Sequence, residues 1–561
     1  MSRKFSANLA AGVVLSLVVA ACGSQAASPT ASSSGGSVDG PGGELVTLNA
    51  SLGGQGLDPM TQAALEWSHK PWWDDVHDFV LEQDAEGNVV AGLATEWGPS
   101  EDGLTWTFTI REGVKFHNGD TLTADDVAWS WNRLTFDPAS THQMIGRAPT
   151  IESISAEGNQ VIIVTTTPLS DVPMWFAEHD GESAGAVYSQ AYFEEVGDEM
   201  WTAPIGTGPY EVVSVDGAES ATLTAFLDED RSDWQKDRTP GFKDLTIRTA
   251  PDSSTRVALL RTGEADVAPL PISAVEELEG TGIEIIEVPA ATQSVMWCLG
   301  FSRNPDSPCN DVAVREALSI AIDRQGIADS IYRGFAAPSA GYIAGPGTFG
   351  NPEDLEAPAY DPDRARELLA EAGFDESNPL VVEMVVADVP GDMPEMPTMA
   401  EAIAGNYQAI GIDATVIVGD EDANRETLYE DEYNGQGAGD PALPVTLWMR
   451  GQDNRFYFVD SMIANGTDVG RIGTALWGDE AFPEITAEMS ERLLAVQAEF
   501  DTDAQAELLA DFHRFMAENW LQIPLLTASS VFGVSEKVGD WDLRIAGKGF
   551  VHNQWSIQPA E

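Results

Sequence analysis

A chain of 561 residues in which 91 Asp and Glu face only 29 Lys and Arg carries a formal charge of −62 at pH 7. That balance excludes nucleic acid as a partner, because affinity for a phosphate backbone needs basic patches. With 43% hydrophobic residues the chain is no acidic disordered tail, and its length suffices for more than one domain at roughly 100–200 residues each.

In chain order, the first feature is an export signal over residues 1–21. Arg3 and Lys4 supply a positive start, and the apolar run 9–21 is too short to span a membrane comfortably. It ends Val19-Ala20-Ala21-Cys22, which resembles a bacterial lipobox, where peptidase cuts before the cysteine and the thiol carries lipid. Residues 22–43, rich in Ser, Ala, Gly and Pro, lack hydrophobic periodicity and read as a flexible tether. No later stretch approaches the ~18 apolar residues of a spanning helix. The expected body is a folded one, held at the outer face of a membrane by its N-terminus.

Thr105, Thr107 and Thr109 alternate with Trp106, Phe108 and Ile110, the period-two pattern of a strand with one buried face. Asn118-Gly119-Asp120 supplies a turn, and Thr123 an N-cap for a helix whose Val127, Trp131 and Leu134 share an inward face. A Gly-rich turn at 204–210 leads into a strand at 211–215. A helix starting near Asp252 runs to a turn at 263–266. On the helix 311–327, Val314, Leu318 and Ile322 share one face, with Arg315 expected to pair outward or across a domain seam. Asp361-Pro362 is a strong helix start, Leu368, Leu369 and Ala372 form its buried stripe, and Gly373 ends it.

Cys298 and Cys309 flank the loop Asn304-Pro305-Asp306-Ser307-Pro308, and an exported compartment permits a disulfide between them. Their spacing is too long for a CxxC metal site, and His69 and His77 do not share a helical face, so no metal or cofactor is expected. Three short motifs invite an enzyme reading and fail it. Gly181-Glu182-Ser183-Ala184-Gly185 matches GxSxG but lacks the hydrophobic strand a nucleophile elbow needs. The GxGxxG at 345–350 is followed by Asn351-Pro352 instead of a helix. The acidic run opening at Asp420 has Arg425 where a calcium loop requires glycine.

The longest ordered pattern is residues 93–134, LATEWGPSEDGLTWTFTIREGVKFHNGDTLTADDVAWSWNRL. It resembles the signature block of the family 5 solute-binding proteins, extracytoplasmic receptors of peptide- and nickel-type ABC importers. Pro204-Ile205-Gly206-Thr207-Gly208-Pro209-Tyr210, the helices at 252–267, 311–327 and 360–374, and Trp520 to Leu526 are similar to further family motifs. The resemblance implies an α/β class with two lobes hinged around a cleft, in the periplasmic-binding-protein-like arrangement, the first lobe carrying an extra subdomain. It maps a base lobe onto 44–80, 195–287 and 525–561, an inserted subdomain onto 81–194 and a second lobe onto 288–524. The crossings are expected near Val288-Pro289 and Ile523-Pro524.

The resemblance also implies where ligand is held. Peptide-binding relatives line the cleft with the stretch after Leu57-Asp58-Pro59, making Glu66, Trp67 and Trp72 candidates, with Trp297 and Trp448 as further aromatic ones. In such relatives a W-x-x-D-Y segment sets its Asp against the ligand's amine. Here the segment reads Trp448-Met449-Arg450-Gly451-Gln452-Asp453, so glycine stands in the acid's place. Asp453 or Asp440 is left as the alternative anchor for an ammonium, whereas Arg450 favours a carboxylate by bidentate hydrogen bonding. The expected protein is a monomeric, lipid-anchored receptor that captures a short peptide and passes it to an ABC permease, with no bond made or broken. An oligosaccharide, an anionic metabolite or a metal chelate remains open as cargo, as does a sensor without transport.

Overall fold

The structure, a computed structural model, describes residues 41–50, 52, 58–60, 72–83, 89–177, 183–298, 307–342, 348–387, 394–419, 445–453, 483–542 and 553–561. Cys22, Glu66, Trp67, His69, Asp440 and the acidic run at Asp420 lie outside the described residues.

The block at 93–134 folds as its pattern dictates. Strand Thr105–Ile110 buries Trp106, Phe108 and Ile110 and pairs antiparallel with Ala94–Pro99 and Gln160–Thr165, which in turn pairs with Ile151–Glu157. The Asn118-Gly119-Asp120 turn is closed by Asn118 Nδ2 donating to Asp120 at 2.8 Å. Thr123 and Asp126 then form a capping box at the start of helix Ala124–Phe136, each side chain accepting from the other's backbone N–H. The helix lays Val127, Trp131 and Leu134 on the four-stranded sheet. Trp131 stacks on Phe176 with ring centroids 3.6 Å apart, and Phe108 meets Trp131 edge-on at 5.5 Å. Buried side chains from Val80 to Val187 make one continuous core, so this stretch packs as a unit of its own.

Leu81–Gln83 and Val89–Ala91 pair as a small two-stranded sheet, and the remaining strands join a single 11-stranded sheet. Its base-lobe part runs from Tyr210–Asp216 through Ser220–Ala225, Asp244–Thr249 and Glu44–Asn49 to Val267–Pro269. Asp266 ties that end together, accepting from the Val46 amide at 2.9 Å and from Lys537 Nζ at 2.9 Å. The second-lobe part orders Asp413–Gly419, Val381–Ala387 and Val445–Asp453, all parallel, and then the antiparallel Glu284–Cys298. Its parallel strands are apolar runs such as VVEMVVA, covered by helix Met396–Ala409, as expected where both faces are buried.

Two long strands belong to both parts. Glu284–Cys298 and Ile523–Val534 run antiparallel, Glu284 to Val288 opposite Val534 to Ser530, and Thr292 to Met296 opposite Ala528 to Ile523. The register breaks between Val288 and Thr292, where Pro289, Ala290 and Ala291 face only Ser529. A second irregularity follows between Gln293 and Val295, opposite Thr527 and Pro524, so one break lies beside Val288-Pro289 and the other beside Ile523-Pro524. Cys298 and Cys309 are joined by a disulfide with Cα atoms 6.4 Å apart.

Helix Val312–Ile320 buries Val314 and Leu318, and Ile322 just beyond it, but Arg315 points neither outward nor across a seam. It is 3% exposed, and its guanidinium donates to the carbonyls of Cys309 (2.8 Å), Asn310 (3.1 Å) and Asn519 (2.8 Å). The expectation failed because helical periodicity assigns a face by polarity, whereas a guanidinium can be buried when backbone carbonyls converge on it.

Candidate ligand-binding cleft

Four of the sequence candidates come together on one pair of strands at the seam between the shared strands and the second lobe. In the antiparallel pairing of Glu284–Cys298 with Val445–Asp453, Trp297 stands opposite Trp448, Val295 opposite Arg450, and Thr292 opposite Asp453. Thr292 is the first paired residue beyond the register break, so the strand carrying Arg450 and Asp453 ends beside that break. Trp72 is separate from them. It is 1% exposed and belongs to the base-lobe core with Trp73, its ring 5.4 Å from that neighbour.

The stretch following Trp72 forms a buried aromatic and polar junction between base lobe and inserted subdomain. Trp73 lies 4.5 Å from His77, His77 lies 5.0 Å from Tyr188, and Tyr188 lies 5.4 Å from Trp201. Burial pushes the His77 imidazole down to about 3, with His117 adding to the effect, so the ring is neutral at physiological pH. His117 is locked in one tautomer. Its Nδ1 accepts from the Gly206 amide at 3.2 Å and its Nε2 donates to the Gly208 carbonyl at 3.0 Å. Burial holds it at about 4.

The junction also explains two family-like motifs that sequence could name but not assign. A Cβ at Gly208 would stand 2.7 Å from the Val76 carbonyl carbon, so the Gly-Thr-Gly turn exists to let two backbones touch. Between the glycines, Thr207 Oγ1 donates to Asp78 at 2.8 Å. Arg238 completes that buried site, 3.2 Å from Asp78 and 2.6 Å from Glu82. Burial still dominates and holds the Asp78 carboxyl above the usual range, with Arg238 opposing it. In the other motif, Asp58 takes a bidentate pair from Arg133 at 2.7 and 2.8 Å, pinning the helix 124–136 to the segment that precedes Trp67. Neither Asp58 nor Arg133 stood out from the sequence as a positioning pair, since nothing in its local pattern links positions so far apart.

Of the enzyme-like motifs, residues 345–347 of the GxGxxG and the acidic run at Asp420 lie outside the described residues, and the described end of the GxSxG stretch makes a packing contact. Gly185 of the GxSxG stretch packs against the Phe176 carbonyl where no Cβ fits, and its own carbonyl accepts from Val80 at 2.9 Å. Among the described residues no group of three or more His, Cys, Asp or Glu is placed to hold a metal ion, and no helix is long and apolar enough to cross a membrane.

This geometry, a self-packed insert on one lobe and two strands shared between lobes, agrees with the comparisons to known proteins. The dipeptide-binding protein of Escherichia coli (strain K12) is 29% identical over 353 residues, 59% of this chain and 63% of that protein. The glutathione-binding protein GsiB of Escherichia coli (strain K12) is 32% identical over 295 residues, 52% of this chain and 54% of that protein. The matched stretches thus span less than two thirds of these relatives' own length. Among solved structures, the periplasmic binding protein DppA of Helicobacter pylori, in complex with the peptide STSA, superposes with a TM-score of 0.70 at 22% identity, covering 93% of this chain and 98% of that one. The fold is therefore the two-lobed one of these binding proteins. Residues 88–466 match the model of bacterial extracellular solute-binding proteins, family 5, and the chain belongs to that family.

Proposed function

We propose that the chain is the extracytoplasmic substrate-binding component of an ABC importer, which captures a short peptide by closing two lobes and delivers it to a permease. The observation that carries this is the family match over 88–466, which spans most of the inserted subdomain, the first shared strand and the strand bearing Trp448 and Arg450. In this reading the base lobe comprises 44–80, 195–287 and 525–561, the inserted subdomain 81–194 and the second lobe 288–524. The break at Pro289 to Ala291 opposite Ser529 serves as the hinge, because a bulge lets two strands bend without losing the ladder on either side. The chemistry is binding and closure, with no bond made or broken. Cys22 carries the lipid that holds a monomeric receptor at the outer face of the membrane.

Arg450 supports a second reading of the cargo. An arginine on the strand beside the hinge, where relatives that bind peptide amines keep an acid nearby, suits a ligand rich in carboxylates. Glutathione, the ligand in the name of the 32%-identical relative, is a peptide of that kind. Native mass spectrometry of the purified mature protein, followed by mild denaturation to release what co-purified, tests both. Released short peptides support the first reading, with Asp453 or Asp440 as the amine anchor. A dicarboxylate or acidic tripeptide supports the second, and a sugar or metal chelate overturns both.

A further inference from the structure

Among the described residues, the inserted subdomain touches the second lobe at one place well away from the shared strands. The turn between helices Pro483–Ala498 and Thr502–Glu518 lies against the segment that follows strand Gln160–Thr165. Three kinds of contact meet there. The Ser170 amide donates to the Gln497 carbonyl at 2.8 Å, a backbone bond between the two lobes. Gln497 Nε2 in turn donates to Asp171 at 3.0 Å, and Gln505 Nε2 to Ser170 Oγ at 2.7 Å. Beside them Phe500 stacks on Trp106 with centroids 6.2 Å apart and an interplanar angle of 27°.

Both sides are shaped for this contact. Gly103 has a φ of +70°, and a Cβ there would stand 2.8 Å from Phe500 Cζ, so the subdomain presents a bare backbone where the ring lies. The Trp106 ring is oriented by its Nε1 donating to the Leu169 carbonyl at 2.8 Å, immediately before Ser170. Asp171 is 7% exposed and also takes Trp175 Nε1 at 3.1 Å. Separating the lobes here would return Phe500 and the Gln497 amide to water and leave Asp171 with one partner fewer. The helix-turn arrangement on the second lobe is itself rigid, since Gln505 also bonds the Val496 carbonyl at 3.1 Å within it.

We propose that this contact is a latch that holds the closed form. It rests on the hinge-closing reading above and adds to it a site remote from ligand that sets how far the empty protein opens. The chain crosses between the lobes only through the two shared strands among the described residues, so rotation about the 289–291 break must part Ser170 and Asp171 from Gln497, and Trp106 from Phe500. The latch is polar at its centre and aromatic at its rim. A contact of this kind is strong enough to bias closure and weak enough to release, whereas a purely apolar seam of the same size would resist opening.

The test uses the full mature chain with Gln497→Ala and Phe500→Ala combined, and Gln505→Ala as a milder second variant. Hydrogen exchange is followed over 166–176 and 493–505, and the inter-lobe distance by spin labels on cysteines introduced at the exposed Glu157 and Glu491. Thermal melts and unchanged exchange over the base-lobe strand 244–249 show that the variants fold. The expected result is faster exchange in both segments together, about tenfold for the double variant, with a shift of the label distances to longer values. Faster exchange with unchanged distances, or no change in either, overturns the latch. If the wild-type distances stay the same after ligand is stripped by mild denaturation and refolding, the hinge-closing reading falls as well. If they lengthen in the wild type but the variants match it, the latch alone falls.

Discussion

Where the inserted subdomain meets the base lobe, buried arginines are held by carboxylates; in the second lobe, Arg324 is held by backbone. Arg133 pairs with Asp58, and Arg238 with Asp78 and Glu82. Arg324, 3% exposed, donates to the Pro524 carbonyl at 2.7 Å, the Ser319 carbonyl at 2.9 Å and the Ser319 hydroxyl at 3.1 Å. Burial lowers its guanidinium to about 10, still charged at neutral pH. The two solutions cost different things. A carboxylate partner can be protonated or swapped, whereas carbonyls fixed by the fold are stranded as soon as the cation goes. The junction should therefore answer to pH and the second lobe to deletion.

The largest effect is expected from Arg324→Ala. It strips the guanidinium donors from the buried carbonyls of Ser319 and Pro524 at once, leaving Ser319 only the weak 3.4 Å bond from the Ile322 amide and the helix-end amide of Ala321, and should cost about 3–5 kcal/mol of second-lobe stability. Differential scanning calorimetry would show the second-lobe transition falling while that of the inserted subdomain holds. Arg324→Lys should recover less than half of the loss, because a point charge cannot serve three acceptors in a fork. Full recovery by lysine would mean the charge matters and the geometry does not.

The next effect is pH dependence. His77 and His117 at the junction are held at about 3 and about 4, below the ordinary 6.5, and His513 in the second lobe at about 3, in each case chiefly by burial. A base whose pKa is depressed on folding contributes stability above its unfolded pKa and loses it as pH falls towards the folded value. Between pH 6.5 and about 5 most carboxylates stay ionised, so these imidazoles dominate that window, each costing about 1.4 kcal/mol per pH unit once the unfolded chain binds the proton. With two such histidines against one among the described residues, the junction should lose stability about twice as steeply as the second lobe on acidification. Equal slopes, or a slope unchanged by His513→Phe, would remove the distinction.

The same contrast marks what could be read from the sequence. The inserted subdomain was legible because its forces are local: alternation in 105–110, a capping box at Thr123 and Asp126, and an inward stripe at Val127, Trp131 and Leu134 all lie within a few residues of their partners. The helix at 362–371 was legible for the same reason, with Asp361 accepting from the Arg364 amide at 2.9 Å. Arg315 was not, because its carbonyl partners include Asn519, on the other side of the lobe in sequence. The Asp58–Arg133 pair escaped notice likewise. For the cleft, the sequence named Trp297, Trp448, Arg450 and Asp453 as candidates, and only the strand register brings them side by side. Long-range pairing leaves no periodic trace, so a chain read in windows sees scaffold before site.

Asp58→Ala tests the carboxylate-held side directly and should have a smaller effect than Arg324→Ala. The bidentate pair is charge-assisted, but its side chains are 9% and 21% exposed, so water can replace the lost carboxylate in part. Arg133 also keeps favourable faces to lie on, 5.0 Å from the Trp201 centroid and 5.1 Å from that of Phe193. A loss of about 1–3 kcal/mol confined to the junction transition is expected. A loss equal to that of Arg324→Ala would show that the two regions depend on their cations alike.

The smallest effect belongs to the exposed pairs. Arg364 sits 3.1 Å from Glu367 and 3.5 Å from Glu371 on the outer face of its helix, with side chains 41%, 66% and 65% exposed. Coulomb attraction in water is weak, ordering long side chains opposes it, and salt screens what remains. Arg364→Ala should therefore leave both calorimetric transitions where they are, and added salt should matter through a different route. With 91 acids facing 29 cations, repulsion across the surface is larger than any single pair, so screening should raise both transitions together. Stability that stays level or falls as salt is added would show that the dispersed acids do not oppose folding. A measurable loss from Arg364→Ala would mean that surface pairs, and not the buried cations of the two regions, set the stability of the second lobe.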